Sequence, residues 1–164
     1  MTTLRKLSLA LAISLAAGLL FTNIYTSVVD AHNWGANIPA SIQTARDYFK
    51  TANPGTFFRM IAPATQVAGL LALILCWRAG KRARLYCAIA FLFAVGTDVL
   101  TFAYFYPRND IMFKSSLVNN VDAIKAALEQ WRSMNWVRSL VCACALVFDF
   151  LAFNLVMSKT EHSK

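Results

Sequence analysis

The sequence predicts an all-α protein, an antiparallel bundle of four transmembrane helices, and three observations carry that prediction. Hydrophobic residues make up 58% of the 164-residue chain and charged residues 15%, with a mean hydropathy of +0.50. An ordinary soluble domain holds about 45–50% and 25%, and a globule of this size could not bury the difference. Four apolar stretches, 7–29, 57–77, 85–106 and 135–157, are each long enough to cross a hydrocarbon core of about 30 Å at roughly 1.5 Å per residue. The connector 78–84 crowds Arg78, Lys81, Arg82 and Arg84 into seven residues, the signature of a tight turn between two spans. With no internal repeat, low-complexity tract or long linker, residues 1–164 read as one domain.

The first stretch follows Arg5 and Lys6, as a signal peptide would, but its apolar run outlasts the usual 7–15-residue signal core and reads as a retained span. The loop over 30–56 holds Ile38-Pro39, an amphipathic piece through Lys50 and an Asn53-Pro54-Gly55 turn. The loop before the fourth span contains VDAIKAALEQWR, with Val121, Ile124, Leu128 and Trp131 at helical spacing. Both loops are expected to carry short amphipathic helices on the membrane surface.

Net charge is +8, which in a soluble chain would point to nucleic acid. Here topology accounts for it. Arg5, Lys6, the four cations of the turn, Lys159 and Lys164 form the set expected on the cytoplasmic side of a cell (inner) membrane, with both termini inside and the two longer loops outside. A nucleic-acid partner is not expected. The partners expected are the bilayer, whose anionic headgroups the basic turn would attract, and a lipophilic small molecule, and homo-oligomerisation stays open.

Cys76, Cys87, Cys142 and Cys144 all fall in or at the cytoplasmic edge of spans, with no outward CxxC, and read as buried small hydrophobes. Cys142 and Cys144 stand two residues apart on a helix and so point to different faces. The histidines are His32, in the first loop, and His162, in the tail, which gives no pair of span ligands for a haem and no metal-site spacing. No cofactor and no metal are expected.

Function is sought among the polar residues inside spans, which are costly in lipid and usually face a cavity or a partner. Trp131, Asn135, Arg138, Cys142 and Asp149 keep one stripe of the fourth span, and Asp98, Thr101, Phe105 and Asn109 one stripe of the third. The second span offers Arg59, Pro63 and Gln66, and the first Asn23, Thr26 and Asp30. Together these predict a polar pocket opening outward. By depth, Arg138 reaches toward Asp98, roughly 12 Å below the outer span end, and an Arg138–Asp98 ion pair is expected, with Arg59 as the rival partner. The simpler role for Asn23, Thr26, Gln66, Thr97, Thr101 and Asn154 is hydrogen-bonded glue between helices.

Pro107-Arg108-Asn109-Asp110 after the third span, followed by Trp131-x3-Asn135-x2-Arg138 opening the fourth, resembles the anthrone-oxygenase-like family of small four-span membrane proteins. The resemblance covers nearly the whole chain in span count and loop lengths. It implies a cofactor-independent oxygenase that converts an anthrone to an anthraquinone. The residues matched are Asn109, Trp131, Asn135 and Arg138, with Asn135 standing where many members carry His. On that reading Asp98 or His32 supplies the base, and Arg138 with Asn109 holds the anion. Trp131, Phe105, Phe102 and Tyr25 take the flat ring, and Asn135, Arg59, Asn23 and Gln66 complete the binding set. The competing reading, from another class, is a non-catalytic membrane protein that binds a lipid, a hydrophobic ligand or a partner membrane protein. Transport is weaker, since Pro63 alone does not supply a broken pair of helices.

Overall fold

The computed structural model describes residues 2–161; Met1 and residues 162–164 lie outside it, and with them His162 and Lys164. Helices follow in the order α1 (Thr2–Tyr25), α2 (Ala31–Gly35), α3 (Ala40–Tyr48), α4 (Pro54–Cys76), α5 (Lys81–Leu100), α6 (Tyr106–Lys114) and α7 (Val121–Glu161). Two π-helical segments, Thr26–Asp30 and Thr101–Phe105, join α1 to α2 and α5 to α6 without breaking the rod. Among the described residues four continuous helices are long and apolar enough to cross a membrane: Thr3–Gly35, Pro54–Cys76, Lys81–Lys114 and Val121–Ser158. Each covers an apolar stretch expected from the sequence, and three of them run well past it. Apolarity ends at the membrane interface, whereas helical hydrogen bonding continues until a cap or breaker stops it.

In the ring of helices α1 packs on α4 and α7, and α5 packs on α4 and α7, so every neighbouring pair is antiparallel. The shared interfaces are built from small residues: Ala12 and Ala16 of α1, Ala68, Gly69 and Ala72 of α4, Ala83 and Ala90 of α5, Ala145 and Ala152 of α7. Lipid tails are as apolar as leucine, so the gain in association comes from close approach and van der Waals contact, which small side chains permit. The large apolar side chains Leu11, Val67, Ile74, Leu92, Val99, Leu140 and Val147 point outward instead, as in a protein solvated by lipid.

At the basic-turn end, Leu9, Ala72, Cys76, Cys87, Ala152 and Val156 close one core. Gly80 carries the connector at φ 123°, a conformation open to glycine, and Arg5 Nε donates to the Leu75 carbonyl at 2.8 Å to tie α1 to the end of α4. Arg84 lies 4.8 Å over Trp77. Cys76, Cys87 and Cys142 are buried and Cys144 half-buried, all as free thiols.

The loop end is where sequence reading and structure part. α3 is the short amphipathic helix expected in the first loop, and it turns Ile42 and Ala45 into a second core with Trp34, Phe105, Met112, Ile124, Leu128 and Trp131. The second expected surface helix is not separate. Residues 121–132 are the first three turns of α7, which runs roughly 60 Å, because nothing between Arg132 and Asn135 breaks a helix. Ile124, Leu128 and Trp131 do share one face, but it packs on protein and not on lipid headgroups.

α4 starts sharply. Asn53 Oδ1 accepts from Thr56 N at 3.2 Å while Thr56 Oγ1 accepts from Asn53 N at 3.3 Å, a reciprocal cap, with Pro54 at the first helical position. A Cβ on Gly55 would stand 2.9 Å from Asn53 Oδ1, whereas one on Gly18 meets nothing within 4 Å. Gly55→Ala is therefore expected to lower stability by about 1 kcal/mol through loss of the cap, and Gly18→Ala to lower it not at all. Thermal unfolding of the two variants in detergent checks this, and equal midpoints would contradict it.

Candidate functional site

The stripe on α7 that begins at Trp131 faces the bundle interior. Asn135 is fully buried and Trp131, Arg138, Cys142 and Asp149 nearly so. What they meet is shaped by the two π-helical segments. In the first, hydrogen bonding slips to i→i+5, with Ala31 N donating to Thr26 O. The Asn23 carbonyl then serves side chains: Thr26 Oγ1 donates to it at 2.9 Å and Asn135 Nδ2 at 3.0 Å. Asn135 Nδ2 also donates to Ser27 Oγ at 2.6 Å. Its two protons are thus spent on the end of α1 and the π-helical segment after it, and its Oδ1 turns back to accept from Arg138 Nη2 at 2.5 Å. Arg138 has donors alone, so this bond fixes which way the amide points.

Arg138 is buried, 4% exposed, against rings. Its guanidinium lies 4.0 Å from the centre of Phe105, 5.0 Å from Phe58 and 5.9 Å from Trp131. Nη1 reaches Thr101 Oγ1 at 3.5 Å, and Nε has no hydrogen-bond partner. Phe105 ends the second π-helical segment and meets Trp131 edge-to-face at 5.7 Å, and Trp131 meets Trp34 at 5.3 Å.

The expected Arg138–Asp98 ion pair is not formed, nor an Arg59–Asp98 pair. Among the described residues the ion pairs are Lys50–Asp47, Lys114–Asp110 and Arg132–Glu129, all between neighbours on one helix or its end. Asp98 instead accepts from Gln66 Nε2 through Oδ2 at 2.5 Å, across the α4–α5 interface. Residues 66 and 98 face each other at one depth, and the amide reaches the carboxylate first.

Beside Arg138 a cavity of about 580 Å³ opens toward the loops. Leu19, Thr26, Thr97 and Arg138 line its deep end, Phe58, Phe102, Phe105 and Trp131 its walls, and Asn53, Arg59, Asn109 and Lys114 its mouth. Arg46 bridges α3 to α6 over that mouth, donating from Nε and Nη2 to the Met112 carbonyl at 3.2 and 2.7 Å. Removing part of its hydration pushes the Arg46 guanidinium below its ordinary range, though it stays charged.

Of the residues singled out in the sequence, Arg138, Asp98, Asn109, Trp131, Arg59 and Phe105 line this cavity. Gln66, Asn135 and Asn23 stand one layer behind. Gln66 holds Asp98, Asn135 holds Arg138, and Asn23 receives Asn135 while its Nδ2 lies 3.4 Å from Cys142 Sγ. Two residues fall elsewhere. Tyr25 is 55% exposed, because two residues of helix rotate it about 200° from buried Asn23. His32 is exposed for the same reason relative to buried Trp34, and its ring bridges Ser27 O at 3.3 Å and Arg132 Nη2 at 3.4 Å. Sequence reading missed Phe58, Ser27 and Arg46. The run Phe58, Ala62, Thr65, Gly69, Ala72 and Cys76, small and at helical spacing, marks the packing face of α4 and contained the signal for Phe58.

Four membrane-length helices enclosing an aromatic cavity with a buried cation at its base define a small multi-pass membrane protein with a polar-ended pocket. The family described as anthrone oxygenase matches residues 53–148, and the chain belongs to that family. The matched segment begins at the cap of α4 and ends in α7, so it contains Phe58, Asp98, Asn109, Trp131, Asn135 and Arg138, and it leaves α1 outside. Comparison with curated proteins and with solved structures finds no match.

Because Asn135 is the carboxamide that receives the buried guanidinium, Asn135→Ala is expected to destabilise the protein by about 1.5–3 kcal/mol, the range for a hydrogen bond to a charged group. Unfolding in mixed detergent micelles measures it. A loss below about 0.5 kcal/mol, the level of an ordinary surface change, would mean that Arg138 is held by something else.

Proposed function

We propose that the cavity binds a lipophilic aromatic compound of the anthrone class and promotes its oxidation by dioxygen to the quinone. The observation that carries this reading is the environment of Arg138: a buried cation, faced by aromatic rings and in no contact ion pair among the described residues, at the wall of a cavity large enough for a fused-ring molecule. A buried charge without a counterion is expensive, and an oxyanion of the ligand is the partner that would relieve it.

The chemistry follows from that placement. An anthrone holds an acidic CH₂ between two aromatic rings, opposite its carbonyl. Removal of one proton gives an anion whose charge rests largely on the carbonyl oxygen. Arg138 faces that oxygen and stabilises the developing charge. Asp98 is the cavity's carboxylate at the deep end and takes the proton, with Gln66 holding it in place. The carbanion transfers one electron to dioxygen, and the two radicals combine into a peroxide. Loss of water then leaves the new carbonyl, so that one anthrone and one O₂ give one anthraquinone and one H₂O. His32, exposed and outside the cavity, has no part in this scheme.

We further propose that the basic turn and both termini face the cytoplasm of the cell membrane, so that the cavity opens on the opposite side. The alternative of a binding protein without catalysis is decided by the same assay.

Reconstituted protein supplied with 1,8-dihydroxyanthrone is expected to consume oxygen and form quinone one for one, above the uncatalysed rate. Arg138→Gln should lower that rate by about 10²–10³ and Asp98→Asn by about 10²–10⁴, with folding monitored by circular dichroism. Binding without oxygen uptake would establish the binding reading, and an Arg138→Gln variant as fast as the wild type would remove Arg138 from the mechanism.

A further inference from the structure

The cavity carries more positive charge than its own carboxylates offset. Four cations line it, Arg46, Arg59, Lys114 and Arg138, against two acids, Asp98 and Asp110. These cations are not equivalent. Arg46 is committed to the Met112 carbonyl and Lys114 to Asp110 at 2.6 Å. Arg138 is the buried cation at the deep end, with Nε unpartnered. Arg59 stands at the mouth. Among the described residues it makes no ion pair, and its hydrogen bond is a long one, from Nη2 to Thr56 Oγ1 at 3.4 Å.

The surroundings of Arg59 add to its charge. It sits in the second turn of α4, and the first residues of that helix, Asn53, Pro54 and Gly55, line the same mouth, where the positive end of the helix dipole points. Its chain neighbour Phe58 lies 5.0 Å from the Arg138 guanidinium. The two guanidiniums line one cavity, Arg138 at its buried end and Arg59 at its open end. Of the two acids, Asp110 is paired with Lys114, and Asp98 accepts from the neutral Gln66 amide; among the described residues neither forms an ion pair with Arg59 or Arg138.

We propose that the ligand of this cavity is a lipophilic molecule with acidic groups at both ends of its apolar body, an oxyanion or acidic hydroxyl at Arg138 and a carboxylate at the mouth on Arg59. This rests on the reading of the cavity given above and adds to it the second acid and the residue that selects for it. An apolar body fills the aromatic walls, and the mouth lies where the helices leave the bilayer, so the carboxylate stays at the interface while the rings are buried. A ligand without that acid leaves Arg59 to water. A ligand with it forms a charge-assisted pair at the rim of a concave site, held there by the burial of its rings.

The test compares two matched pairs of ligands on the full chain in nanodiscs, under nitrogen so that no turnover occurs. One pair is 1,8-dihydroxyanthrone and its ring carboxylate; the other is dodecanoic and dodecanedioic acid. Calorimetry is expected to show the carboxylated anthrone binding about tenfold tighter than its parent. Arg59→Gln should bring it down to the affinity of the parent, and Arg59→Lys should keep part of the advantage. If the anthrones do not bind while the diacid outbinds the monoacid in an Arg59-dependent way, the second anchor stands and the aromatic reading falls. If the two anthrones bind equally, or the advantage survives Arg59→Gln, the aromatic reading stands and the second anchor is overturned. Failure of both pairs to bind overturns it as well. Arg59 is exposed, and an unchanged thermal midpoint for its variants separates lost recognition from lost folding.

Discussion

Everything at the loop end of this protein is arranged around one buried guanidinium. Placing Arg138 among Phe58, Phe105 and Trp131 removes it from water, and a cation in that position must be met by acceptors or ring faces supplied by the fold. The bond it makes at 2.5 Å goes to Asn135, one turn earlier on the same helix. That amide is itself fixed by Ser27 and by a main-chain carbonyl of α1 that a π-helical slip makes available. The geometry of Arg138 thus depends on a distortion in a different helix.

The second π-helical segment does the complementary work. By shifting the register of the α5 rod at Thr101–Phe105, it presents Thr101 to one guanidinium nitrogen and the Phe105 ring to its face. Both distortions lie in helices adjacent to α7 and at the depth of Arg138. π-bulges of this kind are rare in plain structural helices and recur at functional positions. Among the described residues of the other half, toward the basic turn, the helices are regular and joined by small residues, as a scaffold requires.

The contrast between the two ends also explains the roles of the two loops. Ala31, Trp34, Ile42, Met112, Ile124 and Leu128 make an apolar core at the loop end of the bundle, which keeps α3 and α6 seated beside the cavity mouth. Arg46 fastens those two helices through the Met112 carbonyl. A cavity bounded this way has a rigid floor, aromatic walls and a charged rim, the combination that suits an amphiphilic ligand.

Composition and hydropathy by themselves determined the membrane class, the number of spans and their alternation, because the bilayer imposes a length and polarity that no local rearrangement evades. Helical periodicity likewise put Trp131, Asn135 and Arg138 on one inward stripe, since that depends only on 100° per residue. It did not determine partners. Asp98 and Arg138 looked complementary in charge and depth, but pairing is decided by which side chains the packing brings within hydrogen-bond distance, and across the α4–α5 interface that is Gln66. Tyr25 and His32 each stand two residues from a buried neighbour, Asn23 and Trp34, so plain helical rotation turns them away from the cavity, a consequence periodicity already contained; the slip at Thr26–Asp30 leaves no periodic trace. The continuation of α7 through residues 121–132 likewise needed tertiary packing, because an amphipathic face can settle on lipid headgroups or on protein, and only the presence of Trp34, Ile42 and Met112 opposite it decides which.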